Sequence, residues 1–349
     1  MCDLRQIKHV YSAKHFKKTL VNNILKIRLV KFFELIEKEA AKQKFGKNPD
    51  SLYEPIRYIM SIGGKRMRPL LTMLAYSLYK KDVKSITSYA LAVEAFHNFT
   101  LMHDDIMDQA PLRRGKATVH KKWDVNTAIL SGDVMLVKVY DMFMTLSDAK
   151  LKKVLKAFNK CAAEVCEGQQ LDMDFEKRDG VVEAEYINMI KLKTAVLLGF
   201  ALELGAILAN ANEKQQKALR DFGVNIGIGF QLKDDLLDAY ADPEKFGKQV
   251  GGDIIANKKT YLLIKAFEKA NDQQKQTLSH WLSLKKFNKD EKVEAVKKMY
   301  DDLSIPTLAN KKINSYFNKG FRSLEAVKGN VNAKTALRTF AEDLIDRQV

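Results

Sequence analysis

The chain has 349 residues, 46% of them hydrophobic, with only six prolines and no Gly/Ser- or Pro-rich linker. That composition excludes wholesale disorder and favours one large domain over residues 1–349. The formal net charge of +16 calls for an anionic partner (nucleic acid, a membrane surface or phosphorylated substrates), or else describes a basic solvated exterior at pairs such as Lys17-Lys18 and Lys311-Lys312.

Apolar residues recur with a period near 3.6 rather than 2. They predict helices over 52–62, 69–79, 88–107, 126–146, 151–175, 181–210 and 213–240. Further amphipathic helices follow Thr260, separated by a lysine-rich turn over 283–290. No run of alternating residues marks a strand, and no solenoid period is present. The expected fold is therefore all-α, a single large bundle of about a dozen helices. The apolar stretch 194–211 is short for a membrane span and carries Glu203 near its middle, so it reads as a buried core helix.

Between the first two helices lies Gly63-Gly64-Lys65-Arg66-Met67-Arg68-Pro69. The glycines suit a helix end and Pro69 the first position of the next helix, which puts Lys65, Arg66 and Arg68 beside a helix N-terminus, a natural anion pocket. Glu94 and His97 form half of a di-iron carboxylate signature, but no second such pair exists. Leu101-Met102-His103-Asp104-Asp105-Ile106-Met107-Asp108 ends the third helix, and Pro111-Leu112-Arg113-Arg114-Gly115-Lys116 follows it. Lys193-Thr194 opens an apolar run. Gln231-Leu232-Lys233-Asp234-Asp235-Leu236-Leu237-Asp238 repeats the aspartate spacing, and Lys248 and Lys258 come after it.

Both triads place Asp at i, i+1 and i+4, so the outer pair of each stacks one turn apart on one helix face. Like charges at that spacing disfavour a helix by a few tenths of a kcal/mol, and neither triad has a basic residue four positions away. Apolar neighbouring turns make the carboxylates costlier still. A divalent cation resolves the conflict. Magnesium is the expected ion, because it takes oxygen ligands and leaves positions for phosphate oxygens; too few His and Cys lie nearby for zinc or copper. The candidate metal ligands are Asp104, Asp105, Asp108, Asp234, Asp235 and Asp238. A single such triad could be a solvated acidic surface; two identical ones on apolar helices argue against that.

The N-terminus shows no apolar run followed by small residues, so no secretory signal is expected. Cys2, Cys161 and Cys166 have no metal-ligand spacing, and their odd number suggests a reducing cytoplasm.

In this order the segments resemble the trans-isoprenyl diphosphate synthases, the polyprenyl synthetase family: Gly-Gly-Lys-Arg-x-Arg-Pro, His-Asp-Asp-x-x-Asp with Arg-Arg-Gly, Lys-Thr, Phe-Gln-x-x-Asp-Asp-x-x-Asp, Gly-Lys and Lys-Lys-Thr. The resemblance implies an isoprenoid-synthase helix bundle around a central cavity, a homodimer, and head-to-tail condensation of isopentenyl diphosphate with an allylic diphosphate primer. It implies about three magnesium ions per active site, held by the aspartate triads. Arg113, Lys193, Thr194, Gln231, Lys248 and Lys258 would serve the allylic diphosphate. Lys65, Arg68, His97 and Arg114 would hold isopentenyl diphosphate. Lys193, Thr194 and Gln231 would also present oxygen or dipole density to the allylic cation. For His97 the competing reading is a satisfied core histidine; His103 and His120 read as structural.

Phe96, Phe99 and Thr100 lie one and two turns before Asp104 and would floor the prenyl chain, a turn being ~5.4 Å. Phe99 with Thr100 after it is similar to the geranylgeranyl pattern, which points to C20 first and C15 next. The competing readings are a terpene cyclase or head-to-head synthase, and a basic nucleic-acid-binding helical protein. Against these stand the anion loop with an intact second triad and the absence of any helix-turn-helix, zinc or stacking motif.

Overall fold

The computed structural model describes residues 20–241 and 250–346, with side chains from residue 28 onward. Its helices in chain order are α1 (Leu20–Lys42), α2 (Asp50–Ser61), α3 (Met67–Ser77), α4 (Thr87–Met107), α5 (Val119–Lys122), α6 (Val125–Phe143), α7 (Asp148–Glu176), α8 (Glu183–Ile190), α9 (Val196–Leu208), α10 (Glu213–Tyr240), α11 (Gly252–Ile255), α12 (Tyr261–Lys269), α13 (Asp272–Ser283), α14 (Lys289–Asp302), α15 (Ile305–Glu325) and α16 (Val331–Ile345). The fold is all-α, as the periodicity predicts. The only β-pairing among the described residues is a two-residue hairpin, β1 (Leu112–Arg113) with β2 (Lys116–Ala117). Lys17-Lys18 and Lys248 lie outside the described residues.

These residues group into two compact units, each assembled from three stretches of chain. The first comprises the described part of Met1–Phe158 with Ala201–Gln216 and Lys328–Leu337. Its centre is α4, whose alanines and large apolar residues are buried on nearly every side from Ala90 to Phe99. Phe158 stacks edge-on against Phe96 at 5.0 Å and Phe143 at 5.4 Å. Each such fully buried aromatic contributes roughly 1.5–3 kcal/mol relative to leaving it in water. Helix α6 begins where the Asp124 carboxylate accepts from the Thr127 N–H at 2.9 Å. It approaches α4 closely: a Cβ on Gly132 would stand 2.2 Å from His103 Nε2, so any larger residue would displace that ring.

The second unit comprises Asn159–Phe200, Lys217–Val327 and the described part of Arg338–Val349. Here α10 packs against neighbours through glycine: Gly227 faces Ala195, and Gly229 faces Phe317 of α15. The continuous helix expected over 181–210 is interrupted by a π turn, Lys191–Ala195. Across from it Gly168 lets the backbone of Lys193 approach; a Cβ there would meet Lys193 N at 2.1 Å. No described helix is long and apolar enough to cross a membrane, and the stretch read from the sequence as a core helix is the buried α9.

Candidate active site

In the first unit the aspartates Asp104 and Asp105 lie in the last turn of α4, and Asp108 is its C-cap residue. In the second, Asp234, Asp235 and Asp238 occupy the last two turns of α10, which ends at Tyr240. Both triads thus sit at the negative end of a helix dipole, where carboxylates are disfavoured by about 0.3–1 kcal/mol each. This placement is the reverse of what stability alone selects.

Basic groups surround the first triad. Asp105 is buried and takes a forked interaction from Arg113, whose Nε lies 2.8 Å from Oδ2 and Nη2 2.7 Å from Oδ1. Nη2 of Arg113 also lies 3.7 Å from Asp104. The hairpin β1–β2 presents Arg113, and Arg114 follows with a left-handed backbone (φ 53°). The Arg114 guanidinium lies directly against Gly64, where a Cβ would come within 2.6 Å of Nη1. Gly63 and Gly64, with φ of 87° and 146°, adopt backbone that disfavours other residues. His97, half-buried two turns before Asp104 on the same helix, is held neutral: burial first, then the positive charges of Arg68, Arg114, Arg113 and Arg66, drive its pKa well below the usual histidine value. The charges of Arg68 and Arg114 thus both reach His97, and Lys65 is exposed.

Arg66 is engaged elsewhere. Its buried guanidinium turns inward, donating to Glu37 at 2.7 Å, Glu94 at 3.0 Å and the Met60 carbonyl at 2.9 Å. Burial opposes its charge, but Glu94 and Glu37 outweigh that and hold it protonated. The anion loop is therefore clamped by one of its own cations. Pro69, expected at the first helical position, is the third residue of α3; every N–H of a first turn lacks an intrahelical partner, so proline is equally tolerated there.

The second triad has a different setting. Asp235 is buried; it accepts a short hydrogen bond from the Tyr186 hydroxyl and one from Gln231 Nε2 at 3.3 Å. Desolvation, then the charge of Asp253, push its pKa up to about 8 despite those donors. The Asp238 carboxylate accepts from the Asp253 N–H at 2.9 Å, and Lys258 lies 3.8 Å from Asp253. Lys193 and Thr194 lie on the π turn, a form often found at functional sites. Lys193 donates to Asp172 at 2.6 Å, and Thr194 Oγ1 donates to Gln231 Oε1 at 3.4 Å. Thr194, Gln231 and Asp235 are thus linked in one hydrogen-bonded row.

Three participants were not singled out from the sequence. Asp172 is 21 positions from Lys193 and on another helix, so no local spacing betrays the pair. Tyr186 reads as an ordinary core aromatic until its hydroxyl is seen on Asp235. Asp253 had a legible signal, since it follows Gly251-Gly252 shortly after the second triad. Phe96 and Phe99 are buried one turn apart, 5.7 Å between ring centres, and Phe99 also stacks edge-on upon His103.

The family model described as polyprenyl synthetase matches residues 49–302. The chain is 36% identical to the geranylgeranyl pyrophosphate synthase of Geoglobus acetivorans, over 94% of this chain and 99% of that protein. The chain belongs to the polyprenyl synthetase family. It is a prenyltransferase of that family, and the cyclase, head-to-head and nucleic-acid-binding alternatives find no support. Among solved structures, a geranylgeranyl pyrophosphate synthase superposes with a TM-score of 0.86 at 46% identity, covering 93% of this chain and 98% of that one. The geranylgeranyl pyrophosphate synthetase of Pyrococcus horikoshii Ot3 also gives 0.86, at 34% identity, covering 93% and 99%.

Polyprenyl synthetases use Mg2+. The residues here fit that ion: the donors are hard carboxylate oxygens, they sit at negative helix ends, and burial leaves Asp235 short of positive charge. No three His, Cys, Asp or Glu side chains among the described residues form a ready-made metal cage. Magnesium is ordinarily held by one or two carboxylates together with substrate phosphates, so such a cage is not required.

Proposed function

We propose that this protein condenses isopentenyl diphosphate head to tail with an allylic diphosphate to give a short-chain trans-prenyl diphosphate, C20 first and C15 next. The observation carrying this reading is that each carboxylate triad, unfavourably placed at a helix C-terminus, has a cation in its surroundings: Arg113 on Asp104 and Asp105 in one unit and, in the other, Lys258 on Asp253, whose N–H the Asp238 carboxylate accepts. Carboxylates alone would repel a diphosphate; carboxylates with metal and basic groups would bind it.

Asp104 and Asp108 with Asp234 would hold about three magnesium ions, which supply charge neutralisation to the leaving diphosphate; Asp105 and Asp238 support them through Arg113 and Asp253. Arg113, Lys193 and Lys258 grip the primer diphosphate, and Lys248 is assigned there by resemblance alone. Lys65, Arg68 and Arg114 hold isopentenyl diphosphate, with neutral His97 as a hydrogen-bonding partner. As the allylic C–O bond breaks, the Thr194 and Gln231 oxygens face the cation and stabilise it. The isopentenyl double bond then forms the new C–C bond, and the departing diphosphate takes the proton. No protein nucleophile is needed.

Residues 1–349 work as one synthase domain, and the family match over 49–302 supports this. We assign a cytoplasmic location and a homodimer. For the dimer, Ile129, Leu130, Val137 and Met144 form an exposed apolar stripe along α6 and just beyond it. The deciding experiment combines dimethylallyl and isopentenyl diphosphates with Mg2+ and reads chain length by mass spectrometry. Asp104→Asn and Asp234→Asn should each lower turnover at least ~100-fold with unchanged circular dichroism. Wild-type turnover in either variant would remove the metal assignment.

A further inference from the structure

Lys292 of α14 is fully buried, with 0% of its surface exposed. Burying an ammonium is expensive unless it is paired, and no carboxylate among the described residues pairs with it. Its Nζ donates instead to Asn257 Oδ1 at 2.6 Å and lies 4.2 Å over the Phe287 ring. An apolar side chain of equal length would fill the site at no electrostatic cost, so the retained charge needs another explanation.

Asn257 supplies one. It has a left-handed backbone (φ 54°), which asparagine tolerates. Its side chain is engaged at both ends, accepting from Lys292 and donating through Nδ2 to the Leu282 carbonyl at 2.9 Å. Lys258 is the next residue, its N–H bonded to the Asp253 carbonyl at 2.9 Å. Asp253 in turn donates its N–H to Asp238. Beside this loop lies a cavity with room for about one water, lined by Asp253, Asn257, Lys258, Thr260 and Tyr300 among others.

We propose that Lys292 is a positioning residue: through Asn257 it tethers the loop that sets Lys258 and Asp253 against the second aspartate triad. This rests on the assignment of Lys258 to the primer diphosphate. Lys292 touches no reacting atom, and its action is that of an outer partner that fixes groups which do.

The test uses the full-length protein. In Lys292→Met the stem still fills its space, so the protein folds and backbone exchange at residues 257–260 rises. The KM for the allylic primer rises about 10-fold, as is typical on losing an outer partner, while the KM for isopentenyl diphosphate holds. Asn257→Gly keeps the left-handed turn but strands the buried ammonium. It should therefore be less stable than the Lys292→Met/Asn257→Gly double variant, in which neither partner remains. Unchanged exchange at 257–260 in Lys292→Met overturns the proposal, as does additive behaviour of the two substitutions. Lys258→Ala separates the two readings. If it raises the primer KM and Lys292→Met does not, the tether is wrong. If exchange rises in Lys292→Met while neither variant changes the primer KM, the tether stands and Lys258 leaves the primer site.

Discussion

Replacing Gly64 with alanine should damage isopentenyl diphosphate use selectively, and Gly63 provides the control. Both have positive φ, 146° and 87°, so each Gly→Ala change introduces about 1–3 kcal/mol of backbone strain. They differ in what the new methyl meets. At Gly63 nothing lies within 4 Å, whereas at Gly64 the methyl would stand 2.6 Å from Arg114 Nη1. Ordinary contact begins near 3.4 Å, so the guanidinium must retreat by roughly 0.8 Å. A misplacement of about 1 Å at a substrate-positioning group can cost on the order of 10²-fold in rate. Gly64→Ala should therefore lower kcat/KM for isopentenyl diphosphate by roughly 10- to 100-fold. The KM for the primer should change little. Gly63→Ala should lose comparable thermal stability while keeping kcat/KM within a few-fold. The assay is steady-state kinetics with each substrate varied in turn, alongside thermal unfolding. Equal kinetic losses in the two variants would refute the placement of Arg114 against the loop as the functional contact.

Phe99→Ala removes an aromatic floor one turn from Phe96, so products should lengthen by about one isoprene unit, a turn being ~5.4 Å; an unchanged mass distribution would place the floor elsewhere. Glu94→Ala leaves the buried Arg66 with one carboxylate fewer and should cost about 3 kcal/mol, seen as a lower unfolding midpoint in denaturant; a midpoint shift worth under 1 kcal/mol would mean Glu37 suffices. For Glu183, burial raises the pKa, but hydrogen bonds from Lys265 and Lys312 outweigh it, so the net shift is below the ordinary 4.5. A depressed carboxylate stabilises the fold above its unfolded pKa and loses that contribution as pH falls through the folded value. The stability gap between the native protein and Glu183→Gln should thus be under about 1 kcal/mol near neutrality, begin to shrink as pH falls below 4.5 and vanish only below the still lower folded value; a gap independent of pH would contradict the pairing.

Local pattern was enough for the helical class, because a 3.6-residue period and rare prolines act within a dozen residues. The two triads and the glycine-arginine loop were equally legible, since each is a short run whose spacing carries its chemistry. Only the tertiary structure decided what each charge does. Arg66 and Arg68 are two positions apart in one basic segment, yet Arg66 clamps the fold through Glu37 and Glu94 while the charge of Arg68 bears on His97. Asp235 and Asp234 are neighbours, but Tyr186 and Gln231 engage Asp235 in the interior. Such roles depend on which distant side chain arrives at hydrogen-bond distance. Sequence spacing does not encode that across helices, where Asp172 meets Lys193 and Lys292 meets Asn257.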